Sequence, residues 1–515
     1  MMRLLKTLGL IALCVMVVTP AFCQTRNVNP QAVGIEVLIP DTPMGLLGVD
    51  YAANLEPYVD CMGDGTLIAA FGTKDIEGND STERPAMLLV KPDGTIIEAA
   101  GFYTDKGEPW LWNSDDIRKD GNPPQCAGIR TKGATRYAIG MESTPYDYDE
   151  FNTDGRWGKN NYPIGLDYFY CIQVFELQGS TVVPITKVQD EFYGKETGLL
   201  IGRGRTGGVA GLDNGNFAAV VEDRGKVISA FESPILAVFN GTTGEIIKGG
   251  FFPGGDDVTS NTAGWDGITS MKGGFAFRLS ANPTKIYFYD NAGTLLGSWT
   301  QTANNNPDNI PLSSFTEFTT SITGTGRGDG CHISASINSK YVYYANKGLD
   351  VDATSTFVYL VKIDGTTGKT VKEVIVNEVM NLASGYSSGT YENWAMPQRV
   401  SCYVDGRDNV TVVYSDKSND NVNKVIGRVY NSDLTPVTET FMCFQASDID
   451  GTTLFAENDI YHPQVAMTDE RILVTARTSN FLMPDGETAL PMNQPIFTVL
   501  KNPLAPVAVQ DWSLY

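Results

Sequence analysis

Two stretches of this chain are almost the same eight residues: Phe239-Asn-Gly-Thr-Thr-Gly-Glu-Ile246 and Ile363-Asp-Gly-Thr-Thr-Gly-Lys-Thr370. Each joins one β-rich run (ILAVF from Ile235; FVYLVKI from Phe357) to another (IIKGGFF from Ile246; TVKEVIV from Thr370). Asn-Gly and Asp-Gly between such runs predict tight hairpins, because the central turn positions take φ > 0. Variants of the hairpin occur at Pro92-Asp93-Gly94, Gln178-Gly179, Asp290-Asn291-Ala292-Gly293, Asn431-Ser432-Asp433 and Asn502-Pro503. Upstream of each lies a second pair of short apolar runs around a turn, sharpest in PQRVSCYVDGRDNVTVVYS from Pro397 and HPQVAMTDERILVTART from His462. The repeating unit therefore reads strand, turn, strand, connection, strand, hairpin, strand, which is one four-stranded antiparallel sheet.

Seven such units fall near residues 58–103, 124–187, 206–252, 264–300, 330–378, 397–444 and 462–510. A lone sheet of this kind exposes two apolar faces and two edges, whereas radial stacking buries the faces and leaves only short edges. The pattern resembles the seven-bladed β-propeller superfold over nearly all of residues 24–515, read as one domain. The D/N-x-x-T-G-K/E turn is similar to the blade turn of quinoprotein-like and surface-layer-like repeats. The tryptophan of the quinoprotein repeat is missing after Thr370, the sialidase Asp-box is absent, and no single family is matched. The expected fold class is all-β. The extended GIEVLIP segment (Gly34–Pro40) is placed to pair with the last unit and close the ring.

Composition narrows the partners. With 38 Lys and Arg against 60 Asp and Glu, the formal charge of −22 speaks against nucleic acid, whose phosphates require a basic face. It speaks equally against an anionic membrane surface. Arg3 and Lys6, the apolar run Leu8–Val18 and small residues up to Cys23 have the form of a secretory signal peptide covering residues 1–23, with cleavage near Cys23-Gln24. That run is too short to span a bilayer, which takes about 20 residues, and no later segment is long and apolar enough. A secreted, extracellular or periplasmic location follows. Six cysteines remain after the signal (Cys61, Cys126, Cys171, Cys331, Cys402 and Cys443) without a CxxC, so they read first as buried free thiols, with a disulfide left open.

Candidate sites fall in the longer connections. Trp110, Trp112, Asp115 and Asp116, with Tyr148 and Trp157 further on, set flat aromatic faces beside carboxylates, a combination suited to sugar rings. Asp147, Asp149, Glu150, Asn152 and Asp154 form the densest oxygen cluster; read from Glu150 it resembles the start of a Ca²⁺ loop, with Asn161 where the bidentate Glu would stand. Gly202-Arg-Gly204-Arg-Thr-Gly207 matches a dinucleotide fingerprint in letters, but a strand-like run follows where the pyrophosphate needs a helix N-terminus. His332 and His462 stand in different units, and no G-x-S-x-G elbow is present. These features predict a non-catalytic recognition or scaffold module for an extracellular glycan or surface protein. The alternative is a carbohydrate-active enzyme, hydrolase or lyase, with acids at the propeller mouth.

Overall fold

The structure, a computed structural model, describes residues 30, 34–43, 57–73, 84–101, 103, 124–143, 169–187, 204–223, 233–251, 267–279, 284–301, 315–317, 332–350, 355–376, 380–381, 400–416, 424–444, 448–449, 452–453, 460–478, 481–482, 489–490 and 494–506. Among them there is no α-helix, and therefore none long and apolar enough to cross a membrane.

Seven antiparallel sheets form a ring, a seven-bladed β-propeller. The first blade runs from inside to outside through Tyr58–Cys61, Leu67–Thr73, Arg84–Val90 and Ile96–Ala100. The inner strands of the next five are Gln125–Gly128, Gly204–Gly211, Ile268–Met271, His332–Ala335 and Val400–Val404. The seventh blade takes Ile460–Met467, Arg471–Thr478 and Gln494–Lys501 from the C-terminal part, and its outermost strand, Val37–Pro43, from the other end of the chain. That exchange closes the ring, because the last sheet contains both ends of the fold. The Lys501 amide donates to the Glu36 carbonyl (2.8 Å), and the Lys501 and Glu36 side chains pair at 2.7 Å. The fifth sheet has six strands: Phe315–Glu317 and Met380–Asn381 extend its two long middle strands.

Apolar side chains fill the spaces between neighbouring blades. Tyr137, Ile139 and Phe175 of the second blade meet Ile68, Met87 and Leu89 of the first. The seventh blade's Leu473, Val474 and Phe497 lie in one cluster with Leu67 and Leu88 of the first and Val413 and Val425 of the sixth, so the apolar packing crosses the closing seam. Burying both faces of every blade is what the near-continuous Val, Ile, Leu and Phe of the second and third strands encodes.

The two hairpins that open the sequence reading form as turns, with one change. Asn240 Oδ1 accepts the amides of Thr242 (2.8 Å) and Thr243 (3.0 Å), and Asp364 Oδ1 does the same for Thr366 (2.9 Å) and Thr367 (3.1 Å). The positive φ falls on the second glycine, Gly244 (74°) and Gly368 (64°), rather than on Gly241 and Gly365 next to the Asx residue. The first glycine has a different cause. A Cβ on Gly241 would stand 2.0 Å from the Gly215 carbonyl oxygen of the neighbouring turn, and one on Gly365 would stand 2.9 Å from that of Lys340.

Candidate functional site

The inner strands surround the propeller axis and line a cavity of about 70 Å³. Their register decides which side chains reach it. In the first, second, third, sixth and seventh blades the next-to-last inner-strand residue is Asp60, Ala127, Ala210, Tyr403 and Ala466, each one residue before the last pair of the ladder. Where alanine stands the strands approach closely. A Cβ on Gly128 would lie 2.1 Å from the Cys61 carbonyl oxygen, and one on Gly211 would lie 2.3 Å from that of Gly128. Asp60 and Tyr403 are the two large exceptions, and they meet.

Tyr403 hydroxyl donates to Asp60 Oδ1, and the Gly128 amide donates to Oδ2 at 2.8 Å. Cys61 Sγ lies 3.3 Å from the same hydroxyl and 3.6 Å from the Met467 carbonyl. Arg130, in the turn that follows the second inner strand, reaches across the axis. Its Nη1 donates to the Ala335 carbonyl of the fifth blade (2.9 Å), and its Nη2 donates to the Ser270 carbonyl of the fourth (2.9 Å) and to Ser270 Oγ. The guanidinium stands 5.4 Å from the centre of the Tyr403 ring, within cation–π range. One side chain from the second blade is thus tied to the fourth, fifth and sixth, and it stands across the channel at the end where the inner hairpins turn.

The electrostatics follow from enclosure. Burial raises the Asp60 carboxyl above its ordinary range, against the pull of Arg130, Tyr403 and the Gly128 amide. Burial also pushes the Cys61 thiol up to about 12, aided by the charge of Asp60, so it is a neutral thiol. Tyr403 is held well above its usual value by burial. Burial works against charge on Arg130, but Tyr403 and Asp60 outweigh it and its pKa is raised.

Beyond Arg130 lies a second cavity of about 550 Å³ at the turn-side mouth. It is lined by inner turns of the first, second, fifth, sixth and seventh blades, with Asp64, Asp405, Asp469 and Glu470 facing Arg130, Lys132 and Arg471. Several of these groups are already engaged. Asp405 accepts the amides of Arg407 and Asn409 (both 2.8 Å) and Asn409 Nδ2 (2.8 Å), and so shapes the turn in which Asp408 takes φ 64°. Arg471 donates to the Lys91 and Gly65 carbonyls (2.6 Å each), which ties the seventh blade to the first.

Trp110, Trp112, Asp115, Asp116, Tyr148 and Trp157, and the cluster Asp147, Asp149, Glu150, Asn152 and Asp154, lie outside the described residues. The strand ends that bracket them, Gln125 with Ala100 and Ser143 with Phe169, stand at the mouth opposite Arg130. Among the described residues no group of three His, Cys, Asp or Glu is placed to hold a metal ion. Cys61, Cys126, Cys402 and Cys443 are buried free thiols; the side chains of Cys171 and Cys331 lie outside the description. The Asp60–Tyr403–Arg130 hub was not foreseen from sequence. Its signal was the turn alignment: Arg130 occupies the position held by Gly63, Asp213, Gly406 and Asp469 in other copies.

No protein-family model matches the chain, and no curated protein matches it. Solved structures do. A sialidase from Trypanosoma rangeli is similar at 12% identity and a TM-score of 0.38, over 90% of this chain and 60% of its own. A polysaccharide lyase is similar at 9% identity and a TM-score of 0.44, over 86% and 89%. An α-L-arabinofuranosidase from Fusarium graminearum is similar at 11% identity and a TM-score of 0.35, over 90% and 97%. At these values no residue role is transferred from any of them.

Proposed function

We propose that this protein is an exported, non-catalytic propeller that recognises an extracellular glycan or surface protein at a mouth of the ring. The observation that carries this reading is the blocked axis. The channel holds about 70 Å³, whereas sites that enclose small organic ligands run to about 300–1,000 Å³. Asp60 is the sole acid among the described residues lining it, and both of its oxygens are engaged. Glycoside hydrolysis commonly needs two carboxyl groups flanking the scissile bond, and the channel offers one. Recognition is then left to the mouths, and the strand ends Ala100, Gln125, Ser143 and Phe169 stand at the end of the ring opposite Arg130. A glycan array with Trp110→Ala and Trp157→Ala controls tests this. Binding to one sugar class, lost in either variant, supports it; silence on glycans together with no surface-protein partner in cross-linking on intact cells contradicts it.

The turn-side cavity favours a second reading, a carbohydrate-active enzyme. Its volume of about 550 Å³ falls within the ligand-site range, and it holds four acids beside three bases. Release of reducing ends or unsaturated products from mixed polysaccharides, abolished by Asp469→Asn or Glu470→Gln, would establish that reading over the first.

A further inference from the structure

We propose that the channel segment between Gln464 and Arg130 is a binding site for a small monovalent anion of halide size. Gln464, on the seventh inner strand, is 2% exposed and lines this cavity, and its Nε2 has no hydrogen-bond partner. Arg130 lines the same cavity, and its Nε is also buried without a partner. Ser270 Oγ accepts from Arg130, which leaves its own proton to donate. Buried donors left unmet are costly, and these line the same small cavity, so an acceptor within it is favoured.

Size and charge narrow the acceptor. A water-sized sphere needs about 10–15 Å³ of such space, so a monatomic ion with a water or two fits in about 70 Å³, and a sugar does not. Among the described residues the lining carries one full positive charge, on Arg130, and one acid, Asp60. The Asp60 oxygens already face the Tyr403 hydroxyl and the Gly128 amide. Water can satisfy two donors only by aiming its own two protons at acceptors; an anion accepts from every direction and needs none. This site is independent of what either mouth of the ring recognises.

Bromide is the probe. Crystals of the full protein grown in or soaked with sodium bromide are expected to show an anomalous peak within hydrogen-bond reach of Arg130 Nε and Gln464 Nε2. Because the chain carries −22 charges, any salt screens self-repulsion, so thermal melts compare bromide with gluconate at equal ionic strength. We expect a higher midpoint in bromide, and loss of that increment in Gln464→Leu. If the variant does not fold, the anomalous map decides alone. Water without anomalous signal in the channel, bromide only at surface sites, or an increment unchanged in a folded Gln464→Leu protein each overturn the proposal.

Discussion

Replacing Arg130 by Met keeps most of the aliphatic stem and removes every donor. Three bonds disappear, to the Ala335 carbonyl and to the carbonyl and hydroxyl of Ser270, together with the contact over the Tyr403 ring. The enclosed Asp60 carboxyl loses its only counter-charge among the described residues lining the channel. Hydrogen bonds involving a charged group contribute about 1.5–3 kcal/mol each, and breaking a buried charge pair costs about 3–5 kcal/mol. Arg130 is only half-buried, so water entering from the turn-side mouth can solvate part of what is exposed. We therefore expect a loss near the lower bound, about 3 kcal/mol, read as a lowered urea midpoint at constant slope. The diagnostic is the cycle with Asp60→Asn. Removing the orphaned carboxylate should recover part of the loss, so the double variant should be more stable than additivity predicts by about 1–3 kcal/mol. A cost for Arg130→Met under about 0.5 kcal/mol, the scale of ordinary surface changes, or additivity within that margin, would refute the hub.

The same hub gives a pH dependence. The Asp60 carboxyl is raised in the folded protein, so between its unfolded value near 3.9 and its folded one the native state binds the extra proton. Stability from this group therefore falls as pH rises through that window and is regained as pH falls. The difference in unfolding free energy between wild type and Asp60→Asn should shift toward wild type as pH drops from 7 to 4.5; a shift the other way contradicts the assignment. Gly128→Ala would drive a Cβ into the Cys61 carbonyl, 2.1 Å away, and overpacking of this kind costs about 1–3 kcal/mol or more; an unchanged denaturation midpoint would contradict the close approach of the first two inner strands. Cys61 and Cys402, both pushed up to about 12 by burial, should resist alkylation at pH 8.5 until the protein is unfolded, as read by peptide mass mapping; rapid labelling of the native protein would show that the axis is open.

The sequence carried the blades because their signals are local. An Asx residue with a glycine four places on, as in Asn240 with Gly244 and Asp364 with Gly368, makes its turn from neighbouring residues alone. Seven repetitions then leave a ring as the way to cover every face. What was hidden depends on partners distant in sequence. Asp60 and Tyr403 are 343 residues apart, and nothing near either announces the other. The reason for Gly241 was hidden likewise, since it answers to the Gly215 carbonyl of a neighbouring turn rather than to its own φ. The channel block was legible only in comparison between copies, where an arginine stands at a position that glycine or aspartate holds in the first, third, sixth and seventh blades.

The axis is an enclosed channel because Val37–Pro43 completes the seventh blade, which makes the ring closed. Glu36 and Lys501 face each other across that seam, with both side chains more than half exposed, so a Glu36→Cys/Lys501→Cys protein places two thiols at facing positions across the seam, one residue before the closing strand and one in the last strand, without disturbing the core. Under mild oxidation it should form an intramolecular disulfide that shifts mobility on a non-reducing gel and raises the denaturation midpoint, while the single variants and wild type do neither. Full recovery of free thiols at both positions in the folded, oxidised double variant would contradict a closed ring.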